Sequence, residues 1–215
     1  PDTLVQRIAG KRSLLLSESG IPLEIHHRRV GHLGEHDLLG ARLVGNRRAL
    51  AIEGKEFFVP RPEDQFLLQV VQRVYGHMLI RISDAASSLK LLGGEFDWDS
   101  ALRGARDAGI LPGLRCYASF LAQIHPPFGA SPGLPPEIRN AVSKRAGGAV
   151  SFDGTYYRFS VPSVPLGAYS HKLLHDLAAG MWGCAFRLLM LPAAGASVLL
   201  RKLRAGPVAN KLELL

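Results

Sequence analysis

Four sets of residues have the types and spacing to carry chemistry. In Leu23-Glu24-Ile25-His26-His27-Arg28 the aliphatic Leu23 and Ile25 alternate with Glu24, His26 and Arg28. A strand repeats every two residues, so it would bury the aliphatics on one face and present a carboxylate, an imidazole and a guanidinium on the other. His77, Arg81 and Asp84 stand four and three residues apart, which on a helix places them on one face or at its end, as a surface ion pair or an internal brace. Asp97-Trp98-Asp99 has the Asp-x-Asp spacing of a metal site, but it follows Gly93-Gly94 and opens a helical repeat. Asp97 is therefore expected as an N-cap and Asp99 in the positive first turn. His171 and His175 have the one-turn spacing of two zinc ligands, yet no Glu follows His171 and no third ligand is evident. An ordinary helix face is expected there, and the same reading holds for His32 and His36.

The elements that would position these residues follow from local signals. Ser13 to Ser17 and Pro22 to Arg28 read as extended runs joined by Glu18-Ser19-Gly20, a hairpin signal. Val30 to Gly54 reads as irregular or as a short helix near Asp37 to Leu43, with another extended piece from Lys55 to Val59. From Pro60-Arg61-Pro62-Glu63-Asp64 a helix begins, with Pro and acids in its first turn. Its stripe is Phe66, Val70, Val74 and Met78, widened by Leu67 and Val71. Further helices are expected from Asp84 to Leu92, from Trp98 to about Ala108, and from Pro112 through the stripe Leu114, Tyr117, Leu121 and Ile124.

His125 to Pro136 is the clearest breaker-rich stretch and reads as a linker or surface loop. Beyond it come a short helix from Glu137 to Arg145, a hairpin turning at Asp153-Gly154, and a long apolar helix from Ala168 to Met190. Leu173 to Leu191 has the length of a short membrane span, but His175, Asp176 and Arg187 interrupt it, and Gly180, Trp182 and Gly183 suggest close packing. A buried or partner-covered helix is the expectation. The organisation expected is 1–59 α/β, 60–125 helical bundle, and 126–215 hairpin with C-terminal helices.

The chain's net charge of +8 is placed unevenly: residues 126 to 215 carry 10 Lys and Arg against 4 Asp and Glu. That balance favours either an acidic partner for the region or simple solubility. Arg201, Lys202 and Arg204 beside Val198, Leu199, Leu200 and Leu203 make an anionic membrane surface one candidate. Lys144-Arg145 and Asn46-Arg47-Arg48 read as solvated basic clusters. The two cysteines, Cys116 and Cys184, sit in apolar helical contexts and form neither a disulfide framework nor a cysteine metal site. The expectation is a reducing cytoplasm, with peripheral association at the membrane as a variant.

The acidic-aliphatic-His strand, the Pro-Glu-Asp helix start, His77, Arg81, Asp84 and Asp97-Trp98-Asp99 come in an order that resembles an uncharacterised bacterial nucleotidyltransferase family of the polymerase-beta-like superfamily. The resemblance covers roughly residues 13 to 125. It implies an α+β fold, with a partial mixed sheet followed by a helical bundle, a β-hairpin and C-terminal helices. It also implies transfer of a nucleoside monophosphate from an Mg²⁺-bound nucleoside triphosphate, ATP by expectation, to an unknown acceptor. Glu24 would match a metal-binding carboxylate of the family, with His26 pointing into the same site. His77, Arg81 and Asp84 would face the nucleotide. The Gly-Ser turn and Asp-x-Asp strand that the family places before Leu23 are absent from this chain, which begins at Pro1. The resemblance therefore implies the carboxyl-terminal major part of such a protein, inactive alone. The alternative is a non-catalytic binding or scaffold module with a basic C-terminal region.

Overall fold

The computed structural model describes residues 11–15, 22–26, 36–77, 79–146, 148, 150–159 and 163–190. Its class is α+β, as expected. Strands β1 (Lys11–Leu15) and β2 (Pro22–His26) form an antiparallel pair. Helix α1 (Asp37–Gly45) leads into a second hairpin, β3 (Arg48–Ile52) and β4 (Lys55–Val59). This hairpin was only half legible, because its turn is Glu53-Gly54. Both residues take positive φ, 50° and 75°, and Glu is an uncommon choice where Asn or Asp usually precedes the glycine.

Helix α2 (Pro62–Val70) starts where its proline and acids place it, with Pro at its first position and Glu63 and Asp64 in the first turn. Phe66, Leu67, Val70, Val71 and Val74 are all buried, as the stripe requires. The helix does not continue to Asp84. It widens into a π-helical stretch over Val71–His77, and the chain then extends as β5 (Leu79–Arg81) before α3 (Ile82–Leu92) begins. β5 pairs with β7, which explains the interruption: Leu79, Ile80 and Arg81 lie opposite Arg158, Tyr157 and Tyr156.

Helices α4 (Trp98–Asp107) and α5 (Leu111–Ile124) follow their caps. The Asp97 side chain accepts from the Ser100 N–H at 2.9 Å, which confirms the N-cap reading. A short turn, α6 (Pro126–Gly129), occupies the expected linker, and α7 (Pro136–Ser143) leads to strands β6 (Val150–Phe152) and β7 (Tyr156–Phe159). The tight pair of this hairpin is Asp153 with Tyr156, so Gly154-Thr155 is its centre, one residue later than expected. Asp153 Oδ1 accepts the Tyr156 and Thr155 N–H groups, and Oδ2 accepts Arg158 Nε at 2.7 Å. The Tyr156 amide first, then Arg158 and the Thr155 amide, hold this carboxyl down at about 2.

The expected single helix from Ala168 to Met190 is two: α8 (Ser163–Ala178) and α9 (182–190). Gly180 takes φ 69° between them, a conformation that ends a helix and reverses the chain. Sheet order is β1-β2, β3-β4 and β5-β7-β6, and every described pairing is antiparallel. One buried cluster joins the segments: Leu39 of α1, Phe66 and Val70 of α2, Leu114 and Phe120 of α5, Ile138 of α7 and Ala168 of α8.

Candidate functional site

Glu24 and His26 occupy alternate positions of β2, opposite Ser13 and Lys11 of β1. Their side chains lie outside the described residues. His77 ends the π-helical stretch, Arg81 ends β5, and Asp84 stands in the first turn of α3. The one helical face expected for these three does not form, because a strand intervenes. Asp84 Oδ2 accepts the Arg81 N–H at 2.9 Å and Oδ1 accepts Arg73 Nη2 at 2.8 Å. Its ion-pair partner is thus Arg73, which the spacing argument missed.

Asp64 and Glu63 of α2 are similarly engaged. Buried Asp64 takes Arg42 Nε at 2.5 Å and Asn46 Nδ2 at 3.2 Å, and the same guanidinium reaches Ser100 Oγ and O. Glu63 accepts the Asp97 N–H at 2.9 Å. These contacts lock α1, α2 and α4 together. A magnesium-nucleotide at Glu63, Asp64, Asp84 or Asp97 would have to displace a fold contact. Among the described residues no group of three His, Cys, Asp or Glu is placed to hold a metal.

The least expected chemistry is inside α8. Lys172 and Asp176, one turn apart, are 1 % and 0 % exposed, and their side chains form an ion pair. His175 Nδ1 stands 3.3 Å from the same Asp176 oxygen, and His171 Nδ1 lies 3.4 Å from the Gly109 carbonyl. The two histidines thus have separate partners, in keeping with an ordinary helix face. His36, expected with His32 on an ordinary helix face, is buried edge-on to Tyr75, with ring centroids 5.4 Å apart, and His32 lies outside the described residues. Burial first, and then the Lys172 ammonium, push its pKa well below the usual 6.5, so His36 is neutral at pH 7. The Tyr169 hydroxyl donates to the Tyr75 carbonyl, closing the cluster between α8 and the π-helical stretch.

The cysteines are unpaired and buried. Burial pushes the Cys116 thiol up to about 12, which removes it as a nucleophile at neutral pH.

Helix α9 turns its polar seam inward. Arg187 Nη2 donates to Asp37 Oδ2 at 2.9 Å and to Cys184 Sγ at 3.1 Å, docking α9 on the first turn of α1. The opposite side therefore faces out. Trp182 is 68 % exposed and Phe186 64 %, with Leu189 and Met190 exposed beside them on the same helical stripe. Leu166 and Leu174 of α8 are also exposed. This corrects the expectation that Trp182 marks close packing. Among the described residues no helix is long and apolar enough to cross a membrane.

Comparison with family models, with curated proteins and with solved structures found no match for this chain. The class that the described residues define is an α+β helical bundle carrying small antiparallel sheets, with the α8–α9 pair presenting an apolar outer face.

Proposed function

We propose that this chain is a non-catalytic binding module that seats on an anionic membrane surface through the outer face of α8 and α9. The observation that carries the reading is the exposed stripe Trp182, Phe186, Leu189 and Met190 on a helix whose only charged side chain, Arg187, is turned inward to Asp37. Trp and Phe suit the boundary between headgroups and acyl chains, and such a helix lies in that plane rather than crossing it. Each large apolar side chain moved from water to the acyl boundary contributes up to roughly 1.5–3 kcal/mol, so four together suffice for reversible attachment. The preference for anionic lipid rests on Arg201, Lys202, Arg204 and Lys211, which follow α9 in the sequence, because Lys172 and Arg187 are paired inside.

Co-sedimentation with phosphatidylserine-containing and purely phosphatidylcholine vesicles tests the reading. Binding to the anionic vesicles that weakens with salt and is lost in Trp182→Ser/Phe186→Ser is the expected result. No sedimentation with either vesicle at low salt overturns it. So does a stable dimer in velocity sedimentation that the same double variant dissolves, because a second copy would then be the occupant of the face.

A second reading rests on Glu24 and His26 at alternate positions of β2. It is nucleotidyl transfer by a longer gene product, with Glu24 binding Mg²⁺ and the upstream Asp-x-Asp supplied outside this chain. His77, Arg81 and Asp84 are carried by the resemblance alone as nucleotide contacts. In the complete protein, Glu24→Gln should nearly abolish transfer from Mg-ATP, and retained turnover removes Glu24 from the mechanism.

A further inference from the structure

The seam between α5 and α7 holds two open clefts. The first, of about 440 Å³, is lined by Arg115 of α5 and by Glu137, Asn140, Ala141, Lys144 and Ala146. The second, of about 390 Å³, is lined by Ser119, Ala122 and Gln123 of α5 with Pro126, Val142 and Arg145. Both are of the size that takes small molecules. The single carboxylate of the seam, Glu137, is already shared by the guanidiniums of Arg106 and Arg115. Among the described residues Lys144 and Arg145 have no carboxylate partner.

Two features of the second cleft are unexplained by folding alone. Ser119 is 1 % exposed, and its Oγ has no hydrogen-bond partner among the described residues, an arrangement that leaves a buried polar group unsatisfied. Arg145 sits just past the end of α7 with φ 49°. There the Ala146 N–H returns to the Ala141 carbonyl at 2.9 Å, the helix-ending geometry in which glycine is the favoured residue. A side chain kept where glycine would be easier points to what that side chain does. Gln123 is not available in the same way, because its amide donates to the Gly148 carbonyl at 3.0 Å.

We propose that the second cleft binds the phosphate group of a small molecule, with the Arg145 cation pairing its oxygens and the Ser119 hydroxyl donating a hydrogen bond to it. Arg145 supplies charge-assisted hydrogen bonds to the oxyanion, and Ala122, Pro126 and Val142 provide an apolar wall for the group that bears it. Among the described residues no aromatic ring lines either cleft, so the site reads the phosphate and not a stacked base. The site lies on α5 and α7, away from the α8 and α9 residues assigned to the membrane, and stands independently of that assignment.

The test is calorimetric titration of the full chain with inorganic phosphate and pyrophosphate in vesicle-free buffer, alongside unfolding of each variant in urea. Arg145→Gly is the informative change, because it relieves the backbone while removing the cation. The expected result is a higher unfolding midpoint together with phosphate binding weakened by at least about tenfold. Ser119→Ala should also weaken binding without lowering the midpoint, since no hydrogen bond in the fold is lost. Arg103→Gln removes one exposed charge from α4, outside both clefts, and should leave affinity unchanged. Phosphate binding by Arg145→Gly at the wild-type affinity overturns the proposal, as does absence of binding in the wild type. An equal loss in Arg103→Gln overturns it too, because attraction would then be generic to a basic chain.

Discussion

Helix α5 and the pair α8–α9 use the same kinds of residue in opposite ways. α5 buries Leu114, Tyr117, Phe120 and Leu121 in the common core and leaves its cation Arg115 toward solvent. In α8 and α9 the buried side chains include Lys172, Asp176 and Arg187, whereas Leu166, Leu174, Trp182, Phe186 and Leu189 are exposed. Burying a charge is unfavourable unless it is paired, and exposing a large apolar side chain forgoes its hydrophobic stabilisation. α5 therefore meets the core with its large apolar side chains. The inverted pair is held inside by specific ion pairs together with small apolar contacts at Ala168, Cys184, Ala185 and Leu188, and leaves its largest apolar side chains on the outer face.

The largest expected effect breaks the polar inside of that pair. Lys172→Met leaves Asp176 buried without its cation and should destabilise the chain by roughly 3–5 kcal/mol in urea unfolding. The double change Lys172→Met/Asp176→Leu should recover much of that loss. A single variant as stable as the wild type would show that the pair is not buried in solution.

Next in size is the conventional side of the comparison. A Cβ on Gly113 of α5 would lie 2.3 Å from Tyr75 Cε2, so Gly113→Ala must displace the buried ring. A cost of about 1–3 kcal/mol is expected, together with altered near-ultraviolet dichroism from the tyrosines. An unchanged spectrum and midpoint would mean that the two helices already stand further apart.

The third effect is one of pH. Burial and Lys172 depress the folded pKa of His36 below 6.5, so the unfolded chain takes up the proton first on acidification. The stability tied to neutral His36 is fully present above about pH 6.5 and is lost as pH falls toward the folded pKa. Its slope is at most about 1.4 kcal/mol per pH unit. Urea midpoints at pH 7.5 and 5.5 should differ more for the wild type than for His36→Gln. Identical pH slopes would place His36 in water.

The smallest effect sharpens the contrast. Phe186→Ala on the exposed stripe should change stability by no more than about 0.5 kcal/mol, whereas Phe120→Ala in the core should cost about 3–5 kcal/mol. Comparable losses would mean that the outer face of α9 is covered by this chain itself.

The bundle was legible because its boundaries are written locally. Pro62 with Glu63 and Asp64, Asp97, Gly109 and Pro112 each start or stop a helix within a turn of their own position. The candidate sites were much less legible. An i, i+4 pair such as Lys172 and Asp176 identifies a shared face, but the spacing is the same whether that face is inside or outside. Trp182 between Gly180 and Gly183 suggests close packing from local sequence, whereas the Arg187 to Asp37 contact that turns it outward joins residues 150 positions apart. Lys144-Arg145 reads as a solvated basic cluster, and both residues are exposed.

By itself the sequence determined the α+β class, the helix caps of the bundle and both later hairpin strands, since turn and capping preferences act within a few residues. Tertiary structure alone decided that Leu79–Arg81 is a strand and not part of a helix, because its hydrogen bonds are completed by Tyr156 to Arg158. It also decided which cation met which carboxylate and which face of the C-terminal helices turned to solvent. Those outcomes depend on partners brought together by chain closure, and local residue preference carries no record of them.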